Sequence, residues 1–335
     1  FAETAFDETA YAAAVAAMIG STHTRLEVRG DARVMETLNE LMTRGLGQPF
    51  ADSSILPTFQ LSAAVRDWAP VALSGDGADE LFNGYDRYRA MALLAKWNRV
   101  ARLLPGRAPV GSPQRQERYR RLAAAARARI PSERYTRLVE IFPLELAEEL
   151  LGQPLMDWFP PPEEYGLPDD VAPARLARIR DQQEYLPGDV LWKVDTAAMQ
   201  VGLEVRSPFL DHRLVTLVAN ALPEKLLRAG GSGPVGKQIL REVFGNELPT
   251  TVRSRRKMGF GVPMGDWFRG PLRQELTDAL FAADSFTTLH LTKQVAERLV
   301  AEHVSGRRDH THRLFSLLML ELWWRGPGKG ATLEA

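Results

Sequence analysis

The run 71-VALSGDGADELFNGYDRY-88 constrains this chain more than any other segment. Pro70 introduces Val71–Leu73, which reads as a buried strand, and the strand stops abruptly at Ser74-Gly75-Asp76-Gly77. In open α/β sheets the loops at strand ends face the crevice in which ligands bind. Gly75 and Gly77 admit backbone conformations that a Cβ forbids and let a ligand approach closely. Asp76, Asp79 and Glu80 fall within five positions, so their mutual repulsion needs relief. A divalent cation is one source: Mg²⁺ takes one or two carboxylates and completes its shell with phosphate oxygens and water. The competing reading is a helix N-terminus whose first turn favours acids. An EF-hand is excluded, because the D-x-D-x-D-G spacing is absent.

Around this run, helical and extended patterns alternate. Residues 7–20 read as a helix with Asp7 as N-cap and Gly20 closing it. Leu26–Arg29 is β-prone. Residues 31–44 place Val34, Leu38 and Leu41 on one helical face, 45–57 read as a loop, and Thr58–Asp67 is helical again. Such alternation with short connections predicts an α/β fold, a parallel sheet flanked by helices. No strand is evident from Tyr85 to Asp195. This divides the chain into an α/β part over residues 1–95 and a large, mainly helical part over 96–335. Residues 194–227 read as helical except where Pro208 breaks 206-RSPFLDHR-213. The stripe in 311-THRLFSLLMLELWWR-325 reads as core helix.

The totals exclude several function classes. The 335 residues carry no net charge and no cysteine. A dominant nucleic-acid role is unsupported, and disulfides, thiolate zinc sites and a cysteine nucleophile are ruled out within this sequence. No apolar run approaches the ~18–20 residues that span a bilayer, so no membrane role is expected. The Ala-rich start lacks the basic region of a signal peptide, and a cytoplasmic location is expected. The sequence does not begin with Met and looks like part of something longer. Residues 99–129 hold nine arginines and one glutamate. They read as a solvated helix with its alanines inward, with RNA binding as the alternative. The six histidines form no metal set, and His310 and His312 are expected at the surface. Without a G-x-S-x-G motif, serine hydrolase chemistry has no support.

Two further segments carry cations. The stretch 231-GSGPVGK-237 matches G-x-x-x-x-G-K, the phosphate loop of an NTPase. Gln238 stands where the metal-binding Ser or Thr belongs, and Pro234 removes an N–H from the cradle, so the match reads as a decoy. Lys237 remains a cation at the start of a helix. In 253-RSRRKMGFGVP-263 four cations lie in five positions. They read as a solvated basic loop, or, set against phosphate, as charge to stabilise phosphoryl or adenylyl transfer.

Taken together, the segments 6-FDETAYAAAVAAMIGSTH-23, 48-QPFADSSILPTF-59, 73-LSGDGADELFNGYDRY-88, 186-LPGDVLWKVDTAAMQVGLEVRSPFLDHR-213, 236-GKQILREVF-244 and 256-RKMGFGVP-263 resemble one family in order and spacing. That family is the glutamine-hydrolysing asparagine synthetases, and the resemblance is to their C-terminal synthetase domain. It implies an ATP-pyrophosphatase-type α/β domain with a large helical extension, and ATP and Mg²⁺ as cofactors. The reaction it implies is adenylation of the aspartate side-chain carboxylate, followed by displacement of AMP by ammonia. That ammonia comes from a glutaminase domain not present in this sequence.

By position, the resemblance places Ser74 and Gly75 on the adenylate part of ATP and Asp79 on Mg²⁺. Asp76, where many members have Glu, would assist ammonia attack. Tyr85 would line the intermediate's pocket, and Lys257 would stabilise charge on the phosphates. Glu204, Arg206 and Asp211 are expected in an internal ion-pair network. The family's S-G-G-x-D-S loop is absent from these residues, so inactivity of this piece alone is expected, with an open sheet edge and possible homodimerisation. Two alternatives remain: a related amidotransferase acting on another carboxylate, such as a cell-envelope sugar acid, a peptide or a β-lactam precursor, and a non-catalytic binding module.

Overall fold

The computed structural model describes residues 1, 3–31, 33–97, 103, 105, 111–156, 159, 162–222, 236–254, 259 and 261–329. The chain opens with α1 (Thr9–Ile19), whose C-cap Gly20 takes the left-handed φ of 68°. Asp7 Oδ1 accepts from the Thr9 backbone N–H at 2.9 Å and satisfies one of the free donors at the helix start. The β-prone residues Leu26–Arg29 form no strand. No neighbouring strand among the described residues offers their backbone a ladder. Helix α2 (Arg33–Leu41) follows, with Val34, Leu38 and Leu41 buried as their spacing predicts. Helix α3 (Ile55–Arg66) starts three residues earlier than expected. Pro57 sits in its first turn, where a missing N–H costs no intrahelical bond.

The sheet consists of two parallel strands, β1 (Val71–Leu73) and β2 (Glu204–Arg206), with Val71 opposite Glu204 and Leu73 opposite Arg206. The helical reading of 194–227 missed β2. Three residues between a helix end and Pro208 show too little alternation to mark a strand. β1 is also less buried than a central strand: Leu73 is 74% exposed. It has one hydrogen-bonded neighbour, and only Ala72 is partly covered.

After β1 the acidic turn leads into α4 (Ala78–Leu81) and α5 (Asp86–Lys96). The arginine-rich stretch gives α6 (Pro113–Arg127), capped by Ser112, with Ala123, Ala125 and Ala126 inward as expected. Helix α7 (Pro173–Arg180) runs into a wider π-helical segment, Asp181–Leu191, which contains Pro187. The wide turn accommodates a residue that has no N–H to donate. Helix α8 (Trp192–Met199) packs against α3 and delivers the chain to β2. Helix α9 (His212–Ala221) and α10 (Gln238–Phe244) follow.

The main core lies among α2, α3 and the C-terminal helices α11 (Met264–Arg269), α12 (Lys293–Val304) and α13 (Thr311–Arg325). Phe268, Leu314, Phe315 and Leu318 are fully enclosed there. No helix among the described residues is long and apolar enough to cross a membrane.

Two expectations about charge are corrected. Glu204 pairs with Arg206, and Asp211 with Arg213, both at 2.8 Å, but these are exposed local pairs and no internal network. Residues two apart in extended chain or at a helix cap meet without any tertiary packing. His310 is buried, its Nε2 lying 2.8 Å from Glu302 Oε2 and its Nδ1 2.9 Å from an Arg313 nitrogen. Burial lowers its pKa to about 4, so it is held neutral. The Glu302 and Arg313 that enclose it are brought in by tertiary packing, which local sequence does not report.

Candidate active site

The acidic turn is built by the sheet. The Ser74 N–H donates to the Arg206 carbonyl at 2.9 Å, extending the ladder by one residue. Its hydroxyl donates to Asp76 Oδ2 at 2.7 Å and lies 2.9 Å from the Ser207 hydroxyl. Gly77 then turns the chain with φ of 85°, a conformation that strains any residue with a Cβ. Gly84 comes back against Asp79, where any Cβ would overlap the carboxylate. The turn is therefore folded tightly around the Asp79 side chain.

Lys237 closes this arrangement. Its Nζ lies 3.0 Å from Asp79 Oδ1, the lysine side chain being 32% and the aspartate 21% exposed, and its backbone N–H donates to the Phe82 carbonyl at 2.9 Å. Lys237 adopts a left-handed φ of 52°. Gly236 before it packs on Asn83 and Gly84, leaving 2.8 Å between a Cβ there and the Asn83 carbonyl oxygen. Lys237 and Gln238, at the start of α10, are described, while the preceding 223–235, with most of the G-x-x-x-x-G-K match, lie outside the described residues.

Behind the turn, Glu80 is buried and accepts the Tyr85 hydroxyl at 2.6 Å. Burial raises the pKa of Glu80 and, more strongly, that of Tyr85. The phenol is therefore a fixed, neutral donor. Arg87 stacks over the Tyr85 ring at 4.0 Å and the Tyr185 ring at 4.6 Å. It pairs at 2.8 Å with Asp181, which is fully buried and also accepts from Tyr135. The π-helical segment holds this stack in place.

Across from the turn, Lys193 donates to Asp52 Oδ2 at 2.7 Å and to the Ser54 hydroxyl at 2.8 Å. Burial pushes the Asp52 pKa up, but the charge and hydrogen bond of Lys193 outweigh it, and the net shift is downward. Asp189 shifts the other way, up to about 6, through burial and the nearby Asp52 charge. An unfolded Asp titrates near ~3.9. The folded chain therefore takes up this proton first as pH falls. On this group's account stability declines as pH rises from about 4 to about 6, and stays low above. Asp189→Asn is expected to remove that component. Urea midpoints of variant and wild type should agree near pH 4 and separate by pH 7.5, with the variant higher. The same offset at both pH values would contradict it.

These parts enclose one cavity of about 560 Å³. Asp76, Asp79 and Tyr85 line it, as do Asp52 and Lys193. Gly259, Gly261, Val262 and Pro263 form another part of its wall. Ser74 and Gly75 lie on the strand side of the turn and are not among its lining residues. Lys257 lies outside the described residues, two positions before Gly259. Local sequence gave no signal for Asp52 or Lys193 as site residues, although both fall inside the segments that carry the family resemblance.

The sequence model of the asparagine synthase family matches residues 1–325 of this chain. The chain belongs to the asparagine synthase family. A putative glutamine-hydrolyzing asparagine synthetase of Mycobacterium bovis is 33% identical over 334 residues, covering 96% of this chain and 49% of the relative. Glutamine-hydrolyzing asparagine synthetase 1 of Bacillus subtilis is 26% identical over 295 residues, covering 86% of this chain and 46% of the relative. The chain thus spans about half the length of these curated relatives. Within this asparagine synthase family chain, the matched region includes the whole acidic turn, Lys193, Lys237 and the wall residues Gly259, Gly261, Val262 and Pro263.

Proposed function

We propose that this chain is the part of an asparagine synthetase that activates the aspartate side-chain carboxylate with ATP and then passes it to ammonia. The observation that carries this reading is the cavity lined by Asp76, Asp79 and Tyr85 together with Gly259, Gly261, Val262 and Pro263, with the Lys237 ammonium beside Asp79.

A carboxylate is a poor electrophile because oxide is a poor leaving group. In the proposed reaction a carboxylate oxygen of aspartate attacks the α-phosphorus of ATP as the bond to pyrophosphate breaks, giving β-aspartyl-AMP. The nitrogen of ammonia then attacks the acyl carbon, AMP leaves with the bonding pair, and the nitrogen gives up its extra proton. The first step gathers negative charge on the phosphates, and fixed cations in a water-poor site stabilise such charge. Lys237 and Lys257 are assigned that task. Asp76, part-buried at the cavity and held by Ser74, is assigned the proton from the attacking nitrogen. Tyr85, pinned by Glu80 and stacked on Arg87, is assigned to shape the acyl pocket.

Mg²⁺ fits the donors present. No group of three or more protein ligands is assembled among the described residues, and Mg²⁺ on a nucleotide needs only one or two carboxylates beside phosphate oxygens. Asp79, assisted by Asp76, would hold it, and the ion would supply charge neutralisation on the pyrophosphate. Lys237 occupies the same carboxylate and keeps Asp79 paired.

Product analysis on the full-length protein tests the reading. With ATP, Mg²⁺, L-aspartate and ammonia, AMP, pyrophosphate and asparagine are expected in equal amounts, and Lys237→Ala should slow their release by about 10²-fold. ADP and orthophosphate as products, or pyrophosphate release that ignores aspartate, would contradict it.

A further inference from the structure

The three carboxylates of the acidic turn have three different partners. Asp76 Oδ2 accepts the Ser74 hydroxyl at 2.7 Å, Glu80 accepts the Tyr85 hydroxyl at 2.6 Å, and Asp79 Oδ1 has the Lys237 ammonium at 3.0 Å. The first two partners are neutral, and Lys237 brings the positive charge. Its junction with the turn is also where the backbone is strained. Asn83 and Lys237 are the two residues other than glycine with left-handed φ among the described residues, at 53° and 52°. The Lys237 N–H donates to the carbonyl of Phe82, beside Asn83, and Gly236 packs on the Asn83 carbonyl. Left-handed backbone is unfavourable for a residue with a Cβ, and such strain collects at switch regions. Asp79 Oδ1 is itself buried, with Lys237 and Gly84 against it. Asp79 lines the large cavity, and Lys237 is not among the lining residues.

Mg²⁺ takes carboxylate oxygens at about 2.0–2.1 Å. A metal on Asp79 Oδ1 needs the volume that the ammonium fills, and a metal on the other oxygen of the same carboxylate is repelled by it at close range. We propose that Lys237 is a built-in counter-ion that competes with the divalent cation for Asp79, and that it leaves the carboxylate for a phosphate oxygen when the metal–nucleotide binds. This rests on the synthetase reading, which brings Mg²⁺ to Asp79, and adds to it an exchange of cations. The exchange needs only side-chain motion. The Lys237 side chain is 32% exposed and carries its charge on a flexible four-carbon stem, while its backbone stays docked on Phe82. Before nucleotide arrives, the ammonium relieves the repulsion among the acids and keeps free metal off the turn. Afterwards the metal takes over that task and the ammonium faces the phosphates.

The test is Mn²⁺ binding to the full-length protein, read from the paramagnetic resonance signal of the free ion, with and without ATP and with no turnover. Without nucleotide, Lys237→Met is expected to bind Mn²⁺ about 5- to 10-fold more tightly than wild type, the size of a solvent-screened charge about 4 Å away. The same variant should bind Mn²⁺–ATP more weakly than wild type. Lys237→Arg, which keeps the charge, should stay within about twofold of wild type for Mn²⁺ alone. Adding Asp79→Asn to Lys237→Met should abolish the gain. If Lys237→Met does not fold, Lys237→Gly carries the comparison, since glycine suits the left-handed backbone there. Unchanged or weaker Mn²⁺ binding by the uncharged variant, with Mn²⁺–ATP still bound by wild type, overturns the proposal and leaves the synthetase reading standing. A gain that survives Asp79→Asn places the metal elsewhere and also overturns it. Failure of the wild type to bind Mn²⁺–ATP overturns the reading itself, and this proposal with it.

Discussion

Replacing Lys257 by Ala in the full-length protein is expected to lower aspartate-dependent pyrophosphate release by about 10²–10³-fold with no change in melting temperature. Removing one donor aimed at developing charge in a closed site costs roughly 2.7–4 kcal/mol of transition-state stabilisation. Lys257 itself lies outside the described residues, but Gly259, Gly261, Val262 and Pro263 line the cavity. The assignment rests on the family resemblance of 256-RKMGFGVP-263, the segment that leads into that wall. The same wall faces Asp76 and Asp79, where the phosphates would sit. A normal rate of release by Lys257→Ala would reject the role. A lowered melting temperature would mean that the residue supports the fold instead.

Lys193→Met is expected to act on stability, by on the order of 3 kcal/mol at pH 7.5. Lys193 is 9% exposed and is the cation between Asp52 and the nearby Asp189. Breaking a buried pair by removing one partner leaves the other charge desolvated and unpaired, which costs more than the pair contributed. Methionine conserves the volume, so the loss reads as electrostatic. It should shrink as pH falls toward 4, because protonating Asp52 and Asp189 removes the uncompensated charge. Denaturant unfolding at pH 7.5 and 4.5 checks both parts. A loss below about 1 kcal/mol at the higher pH would show that water screens the pair as it does at a surface.

The elements legible in the sequence were those fixed by local physics. The 3.6-residue spacing of Val34, Leu38 and Leu41 found its helix, and Gly20 found its C-cap. The stripe in 311–325 read correctly as core. β1 and the acidic turn were visible because a strand that ends in Gly-Asp-Gly leaves a local signature. β2 was not, since its identity as a strand depends on pairing with β1 across more than a hundred residues. His310 was misplaced at the surface for a similar reason, because its burial comes from packing against Glu302 and Arg313.

At the site, the carboxylates were legible and their counter-charges were not. Asp76, Asp79 and Tyr85 lie within one turn and helix, so spacing places them together. Lys237 reaches Asp79 from a distant segment through a glycine and a left-handed residue. Lys193 meets Asp52 across 141 positions. No periodicity reports such contacts. The P-loop match around Lys237 lacks its hydroxyl partner, and the contact of Lys237 with Asp79 owes nothing to that motif.

The central claim is that the acidic turn, Lys237 and the segment leading to Gly259 surround the phosphates of one nucleotide. An ATP analogue with an acyl group on its terminal phosphate transfers that acyl to whichever lysine amines lie beside the bound phosphates. After reaction with the full-length protein and peptide mapping, acylation is expected at Lys237 and Lys257, with both protected by excess ATP and Mg²⁺. Acylation at Lys96, Lys293 or Lys329 that excess ATP suppresses, with Lys237 and Lys257 untouched, would contradict the account.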